Sequence, residues 1–223
     1  ESPSLPAWLT TMSTSTLSGC SGGSLTLAAG NESFVYEDNM LTSADGNSVY
    51  LITDGLTTFN FTASMTSSSI VTMLSNITTL ESVTVDEGNT AYKAYHGVLY
   101  NRYDEIELIP KAMTEFILAS EIDEISASYS SDLMFVGSNI EKITYVPGET
   151  YNLTIEGGYS SGSPFSGADK LTTIELPAGT ILSDYAFKGL TTVTSIDLEG
   201  VTRLGYYCFE DCTISEITIP SSV

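Results

Sequence analysis

A six-residue cassette recurs along the 223-residue chain, and no other feature limits its possible folds as tightly. Its plainest copies are Leu171-Thr-Thr-Ile174-Glu-Leu176, Val193-Thr-Ser-Ile196-Asp-Leu198 and Ile214-Ser-Glu-Ile217-Thr-Ile219, all of the form L-x-x-I-x-L. An aromatic lies upstream of each: Phe165 with Ala168, Phe187 with Leu190, and Phe209 with Cys212. The unit therefore joins a short strand to a turn that carries a buried ring. The same template fits Ile140 to Tyr145, Met113 to Leu118, Leu80 to Val85 and Leu56 to Phe61, and Leu25-Thr-Leu27 completes the series. Strand starts near 25, 59, 83, 116, 143, 174, 196 and 217 predict eight units with steps of 21 to 34 residues. One unit of this size cannot hide its own apolar side, so such a chain must stack successive units into a solenoid.

A longer similarity runs through the first half. Leu25-Thr-Leu27-Ala-Ala-Gly-Asn31 matches Val83-Thr-Val85-Asp-Glu-Gly-Asn89 at an offset of 58, each followed three residues on by an aromatic, Phe34 or Tyr92. Asn39 to Leu41 followed by Val49 to Ile52 then parallels Gly97 to Tyr100 followed by Ile106 to Ile109, with two extra residues expected in the first copy's turn. Alternating strands around Asp45-Gly46 and Asp104-Glu105 read as a β-hairpin inserted in two of the repeats, which explains the longest steps.

The cassette I-x-I-P with A-F or C-F-x-x-C, seen at Ala186-Phe187, Cys208-Phe209-Glu-Asp-Cys212 and Ile217-Thr-Ile219-Pro220, resembles the BspA-type leucine-rich repeat of microbial surface proteins. Asn89-Thr-Ala-Tyr92 through Gly97-Val-Leu-Tyr100-Asn101 is similar to that family's hairpin unit, with His96 in place of the usual acidic residue. The resemblance runs from about residue 80 to the end, is weaker over 25–79, and is absent from the first 20 residues. It implies a non-enzymatic extracellular or cell-surface module for adhesion, with matrix, host or other cell-surface proteins as partners. Glycan binding or an envelope-structural role is the alternative.

Charge narrows the partners independently. The 28 acidic against 7 basic side chains give a net charge of −21, and no Lys or Arg precedes Lys93, so the chain would repel nucleic acid and anionic lipid. No apolar run approaches the length of a membrane span. The scarcity of Lys and the abundance of Ser and Thr suit a secreted protein. Sequons stand at Asn31, Asn60, Asn76 and Asn152.

Catalytic and metal chemistry find little material. Only one histidine is present, His96, which excludes any site needing two imidazoles and places a lone imidazole in a turn with no nucleophile motif beside it. Cys20, Cys208 and Cys212 do not form a zinc spacing and read as small buried hydrophobes. Glu121, Asp123 and Glu124 lack the loop of a calcium site. No cofactor, metal or enzymatic activity is expected.

The sequence therefore predicts an α/β leucine-rich repeat solenoid, right-handed, with a parallel β-sheet on its concave face and short helices or turns opposite. Residues 1–24 are expected to cap it, with Trp8 and Leu9 shielding the first repeat, and residues 25–223 to form about eight repeats, the last incomplete and open at its edge. Eight strands spaced as in any sheet would make a continuous ladder roughly 35 Å long. Alternation turns the middle residue of each cassette outward, so Thr84, Thr144, Glu175, Asp197 and Thr218, with Ile117, become the candidate ligand-binding residues. The tyrosines Tyr92, Tyr95, Tyr100 and Tyr103 read as core of the inserted hairpin, and the Tyr151–Ser163 stretch as a long loop that is a second candidate for binding.

Overall fold

The computed structural model describes residues 4–17, 25–127 and 134–223. The regular elements among the described residues are 17 short strands and one helix, joined by turns and irregular segments. Cys20 lies outside the described residues.

The first half is built twice from the same plan. Strand β1 (Ser4–Leu5) pairs in parallel with β2 (Thr26–Leu27), and an antiparallel sheet follows, β3 (Phe34–Glu37), β4 (Met40–Ser43) and β5 (Val49–Ile52). Then β6 (Thr58–Phe61) leads through α1 (Ser68–Leu74) to β7 (Ser82–Val85), its parallel partner, and a second antiparallel sheet follows, β8 (Tyr92–Tyr95), β9 (Val98–Asn101) and β10 (Ile106–Leu108). The segment expected to cover the first repeat is thus itself built as a rung. Leu9 packs on the first core cluster, but Trp8 is 77% exposed and shields nothing.

Each insertion holds three strands, not the expected two. Asp38-Asn39 and His96-Gly97 all have positive φ, the geometry of a two-residue hairpin turn whose twist matches the strands on either side. His96 is therefore a turn residue. The third strand bulges in both copies: Leu41 and Thr42 face Leu51 and Val49, as Leu99 and Tyr100 face Leu108 and Ile106. On these pairings the first copy's turn is longer by one residue, not two.

These sheets act as internal walls. In β9, Val98, Leu99 and Tyr100 are all fully buried, because Leu99 faces the upstream core while Val98 and Tyr100 face the downstream one. Leu41 and Leu51 face the first core, and Met40, Val49 and Ile52 the second, in the same manner. A strand apolar on both faces loses the alternation that marks a half-buried strand. The wall also breaks the expected continuous ladder. Ala112 donates to the Leu80 carbonyl as one rung should to the last, but the Val83 amide is taken by the Gly97 carbonyl, at 2.9 Å. Gly97 sits wedged between Ser82 and Met113, where a Cβ would lie 3.0 and 3.2 Å from their side chains. The tip of the β8–β9 turn thus separates β7 from the next rung.

Beyond the wall the chain coils with two strands per turn. β11 (Glu115–Leu118), β13 (Lys142–Tyr145) and β15 (Thr173–Ile174) form one parallel ladder. β12 (Glu124–Ser126), β14 (Thr154–Glu156), β16 (Ile181–Leu182) and β17 (Arg203–Leu204) form a second that the cassettes did not announce. Their inward rows, Phe116, Ile143 and Ile174 on one side and Ile125, Ile155 and Leu182 on the other, close over a third row of phenylalanines. Ring centroids along Phe116, Phe135, Phe165, Phe187 and Phe209 are spaced 5.4, 5.3, 5.8 and 5.8 Å. The last two cassettes make no strand. Val193 and Leu198 are buried, whereas Ile217 and Ile219 are 38% and 55% exposed.

Every phenylalanine turn closes the same way, with the amide three residues on donating to the phenylalanine carbonyl: Ser138 to Phe135, Ala168 to Phe165, Leu190 to Phe187, Cys212 to Phe209. Ser138 alone of the four brings a buried hydroxyl without a hydrogen-bond partner among the described residues. Replacing it with the alanine found one turn later should raise stability by about 1–2 kcal/mol, since an unpaired buried hydroxyl is removed at no cost in packing. Urea unfolding of Ser138→Ala checks this; an unchanged or lower midpoint would show that the hydroxyl is satisfied in solution.

Candidate functional site

The predicted binding residues do not form one strip. Thr84 stands on β7, on the far side of the wall, and its hydroxyl donates to Asn60 Oδ1 at 2.7 Å while Asn60 Nδ2 donates to Asp86 at 2.9 Å. Thr144 and Glu175 come together on the next ladder: Thr144 is 9% exposed and its hydroxyl donates to Glu175 Oε2 at 3.1 Å. Ile117 lies opposite Thr144 on β11. Asp197 is exposed and accepts the Glu199 amide at 2.9 Å, and Thr218 is exposed beyond the last strand.

What the ladder does present is a charged row across three rungs. Glu115 faces Lys142 in register, and the Lys142 ammonium lies 2.8 Å from Glu175 and 3.9 Å from Glu115. The hydrogen bond to Lys142 holds the Glu175 carboxyl below its ordinary range, and the same bond raises the lysine. All three side chains are partly open to solvent, so the pair adds little to stability. Its value is a fixed pattern of charge on a rigid sheet.

A concavity lies where the wall meets the coil. An open groove of about 970 Å³ is lined by Asp104, Glu105, Glu107, Glu121, Asp123 and Glu124. Among the described residues no group of three or more His, Cys, Asp or Glu side chains is arranged to hold a metal ion.

Sequence reasoning missed the largest exposed aromatic feature. The Tyr151–Ser163 stretch is not a plain loop: Tyr151 is buried, its hydroxyl donating to the Leu118 carbonyl, Thr154–Glu156 is β14, and a Gly158–Gly162 bridge lifts Tyr159 to 78% exposure. Tyr159 meets Tyr185 edge-on at 6.0 Å, and Tyr185 stacks on Tyr207 at 5.3 Å with ring planes 6° apart. Tyr185 and Tyr207 both have a left-handed backbone, φ 59° and 56°. That conformation costs an L residue about 1–2 kcal/mol, while an aromatic pair returns about 0.5–1.5 kcal/mol. Stacking therefore does no better than offset the strain, and stability alone does not account for the row. The signal was available in the spacing, because Tyr185 and Tyr207 each stand two residues before a ladder phenylalanine. Of the tyrosines expected in the hairpin core, Tyr92 and Tyr100 are buried and Tyr95 is half-buried, but Tyr103 is 68% exposed and is not core.

The cysteines and sequons are mostly committed to structure. Cys208 and Cys212 are free thiols. Burial pushes Cys208 up to about 12 and raises Cys212 too, and the Cys212 thiol donates to the Phe187 carbonyl at 2.9 Å. The side-chain amides of Asn31, Asn60 and Asn76 each donate within the chain, to Pro6 and Leu9, Asp86, and Thr72 respectively. Asn152 is exposed.

No curated protein sequence matches the chain. Among solved structures it is similar to the pneumococcal vaccine antigen PcpA, at 20% identity and a TM-score of 0.43, over 95% of this chain and 48% of that one. It is also similar to a leucine-rich repeat protein from Eubacterium ventriosum ATCC 27560, at 18% identity and a TM-score of 0.28, over 74% of this chain and 61% of the other. The chain thus spans about half the length of the first and less than two thirds of the second. Residues 160–223 match the family model described as BspA type Leucine rich repeat region (6 copies). Residues 160–223, which hold Glu175, Tyr185, Asp197 and Tyr207, are thus similar to BspA-type leucine-rich repeats.

Proposed function

We propose that this chain is a non-enzymatic recognition module of the cell surface, which binds extracellular protein through the outward face of the β11–β13–β15 ladder. The solenoid in this reading is right-handed, with that ladder on its concave side. Glu115, Lys142, Glu175 and Asp197 make the contacts; Thr144 holds Glu175 in place, and Thr84 and Thr218 stand at the margins of the surface. The observation that carries the proposal is the charged row itself. It is solvent-facing, fixed in register, and backed by the fully buried Phe116 and Ile143. Rigid backing means that little ordering entropy is lost on binding.

The test is a parallel binding screen of the purified chain against matrix proteins and glycans, repeated with Glu175→Lys/Asp197→Lys. The expected result is saturable protein binding that the double variant weakens by about tenfold or more, with an unchanged far-UV spectrum. Protein binding indifferent to the double variant, or binding to glycans alone, would refute the reading.

A further inference from the structure

The fold sorts the four sequons by what their side chains already do. Transfer of a sugar to asparagine uses the side-chain amide nitrogen together with the hydroxyl two residues on, so both must be free and open to the same side. Asn31 Nδ2 donates to the Pro6 and Leu9 carbonyls at 2.9 and 3.2 Å, and a glycan there would displace the tie to the preceding rung. Asn60 is held at both ends, since Nδ2 donates to Asp86 and Oδ1 accepts from Thr84, and the Thr62 hydroxyl lies in a 3.1 Å hydrogen bond with that of Ser64. At the third sequon Asn76 Nδ2 donates to the Thr72 carbonyl and the Thr78 hydroxyl donates to Asp54.

The fourth sequon, Asn152-Leu153-Thr154, differs on each count. Neither the Asn152 side chain nor the Thr154 hydroxyl makes a hydrogen bond among the described residues. Tyr151, Leu153 and Ile155 are buried, Asn152 is exposed and Thr154 is half-buried. Residues two apart in an extended segment point to one side, so Asn152 and Thr154 face outward together. The backbone beneath them is fixed: the Thr154 amide donates to the Asp123 carbonyl at 2.8 Å, and the Tyr151 hydroxyl donates to the Leu118 carbonyl and accepts the Val146 amide. A sugar on Asn152 Nδ2 therefore displaces only water.

We propose that Asn152 is a modification site, the acceptor of an N-linked oligosaccharide. The co-substrate is an oligosaccharide carried on a lipid diphosphate. Asn152 Nδ2 attacks its anomeric carbon; the C–N bond forms as the bond from that carbon to the diphosphate oxygen breaks, the lipid diphosphate leaves with the bonding electrons, and a carboxylate of the transferase takes the amide proton. Nothing is oxidised or reduced. Asn152 leads into β14, a strand of the second ladder, so the glycan leaves the Glu115–Lys142–Glu175 row of the first ladder open. The inference rests on the reading of the chain as extracellular, because the transfer takes place during export. It is read by mass and needs no ligand, so the two can fail separately.

The test is secretion of the full chain from cultured animal cells, with peptide mapping before and after enzymatic deglycosylation in heavy-oxygen water, which turns each glycosylated asparagine into a labelled aspartate. Asn152→Gln, Thr154→Ala and Thr154→Ser are secreted in parallel. The folded fraction should carry one removable glycan, with the label at Asn152. The glycan should be lost completely in Asn152→Gln and Thr154→Ala and kept in Thr154→Ser, which retains the hydroxyl and so separates the sequon from any effect on β14. Thermal melts of the deglycosylated variants should match that of the unchanged chain. An unlabelled Asn152, a label at Asn31, Asn60 or Asn76 in the folded fraction, or a glycan that survives Asn152→Gln would overturn the proposal. A secreted chain that lacks the glycan yet binds protein through the ladder refutes this inference alone; one that carries the glycan and binds no matrix or cell-surface protein refutes the proposed function alone.

Discussion

Phe165→Ala should cost about 3–5 kcal/mol, the range for removing a fully buried phenylalanine from a site that cannot collapse. Phe165 is the middle ring of the five-membered row, 5.3 Å from Phe135 and 5.8 Å from Phe187, and none of its surface is exposed. Backbone hydrogen bonds on either side prevent the neighbouring turns from closing the gap: Glu141 and Thr172 each tie one rung to the last. The damage should also be local. Solenoid stability is a sum of units and nearest-neighbour contacts, and the β8–β10 wall divides the core that holds Phe165 from the one under β6 and β7. Native-state hydrogen exchange should show protection lost over 134–223 with β6 and β7 little changed, while Phe209→Ala, where the ring is only partly buried, costs much less. Uniform loss of protection along the chain would show instead that the wall transmits the strain.

The contrast between Phe165 and Ile219 explains why some of this architecture was legible and some was not. A cassette states which side of a strand is apolar, and that sufficed for Phe116, Ile143 and Ile174, which stack as expected. It does not state whether a neighbour exists, and Ile217 and Ile219 match the pattern as well as any copy yet lie exposed. The walls hid for a different reason. With both faces buried, Val98-Leu99-Tyr100 shows no alternation, and Tyr92–Tyr95 was read as tyrosines of a hairpin rather than as its first strand. Phe135, with Ser138 three residues on and Ile140 five residues on, keeps the spacing of Phe209, Cys212 and Ile214, so its place in the row was legible in the spacing. At the candidate site, sequence placed Glu175 and Asp197 outward but could not find Lys142 as the ion that organises Glu175, since that pairing depends on register between rungs. The outer tyrosines escaped because a bulky residue at positive φ contradicts local preference, and only the repeat spacing pointed to them.

Asn89→Ala should produce the second large loss, about 2–4 kcal/mol, although it removes no apolar contact. The side chain makes four hydrogen bonds: Nδ2 donates to the Thr62 and Met65 carbonyls at 2.8 and 3.0 Å, and Oδ1 accepts the Ala91 and Tyr92 amides at 2.9 and 3.0 Å. The donors reach back to the turn of the preceding rung, and the acceptor shapes the entry into β8, so one residue fixes both the spacing of two rungs and the position of the wall. Asn31 makes the same four bonds, to the Pro6 and Leu9 carbonyls and from the Ser33 and Phe34 amides. This equivalence explains why Gly-Asn at a 58-residue offset was the clearest long-range signal in the sequence. Alanine would leave two carbonyls and two amides in a half-buried site without partners. Aspartate would keep the acceptor but turn an anionic oxygen toward the Thr62 and Met65 carbonyls, so Asn89→Asp should not recover the loss at neutral pH, and should recover part of it as acid restores a donor. Asn31→Ala should break the equivalent four bonds and loosen the link between residues 4–17 and the entry into β3. Thermal melts of the three variants, with exchange rates read at the Met65, Ala91 and Tyr92 amides, decide the matter: full stability in Asn89→Asp at neutral pH would mean that the bonds within the turn carry the effect and the link between rungs does not.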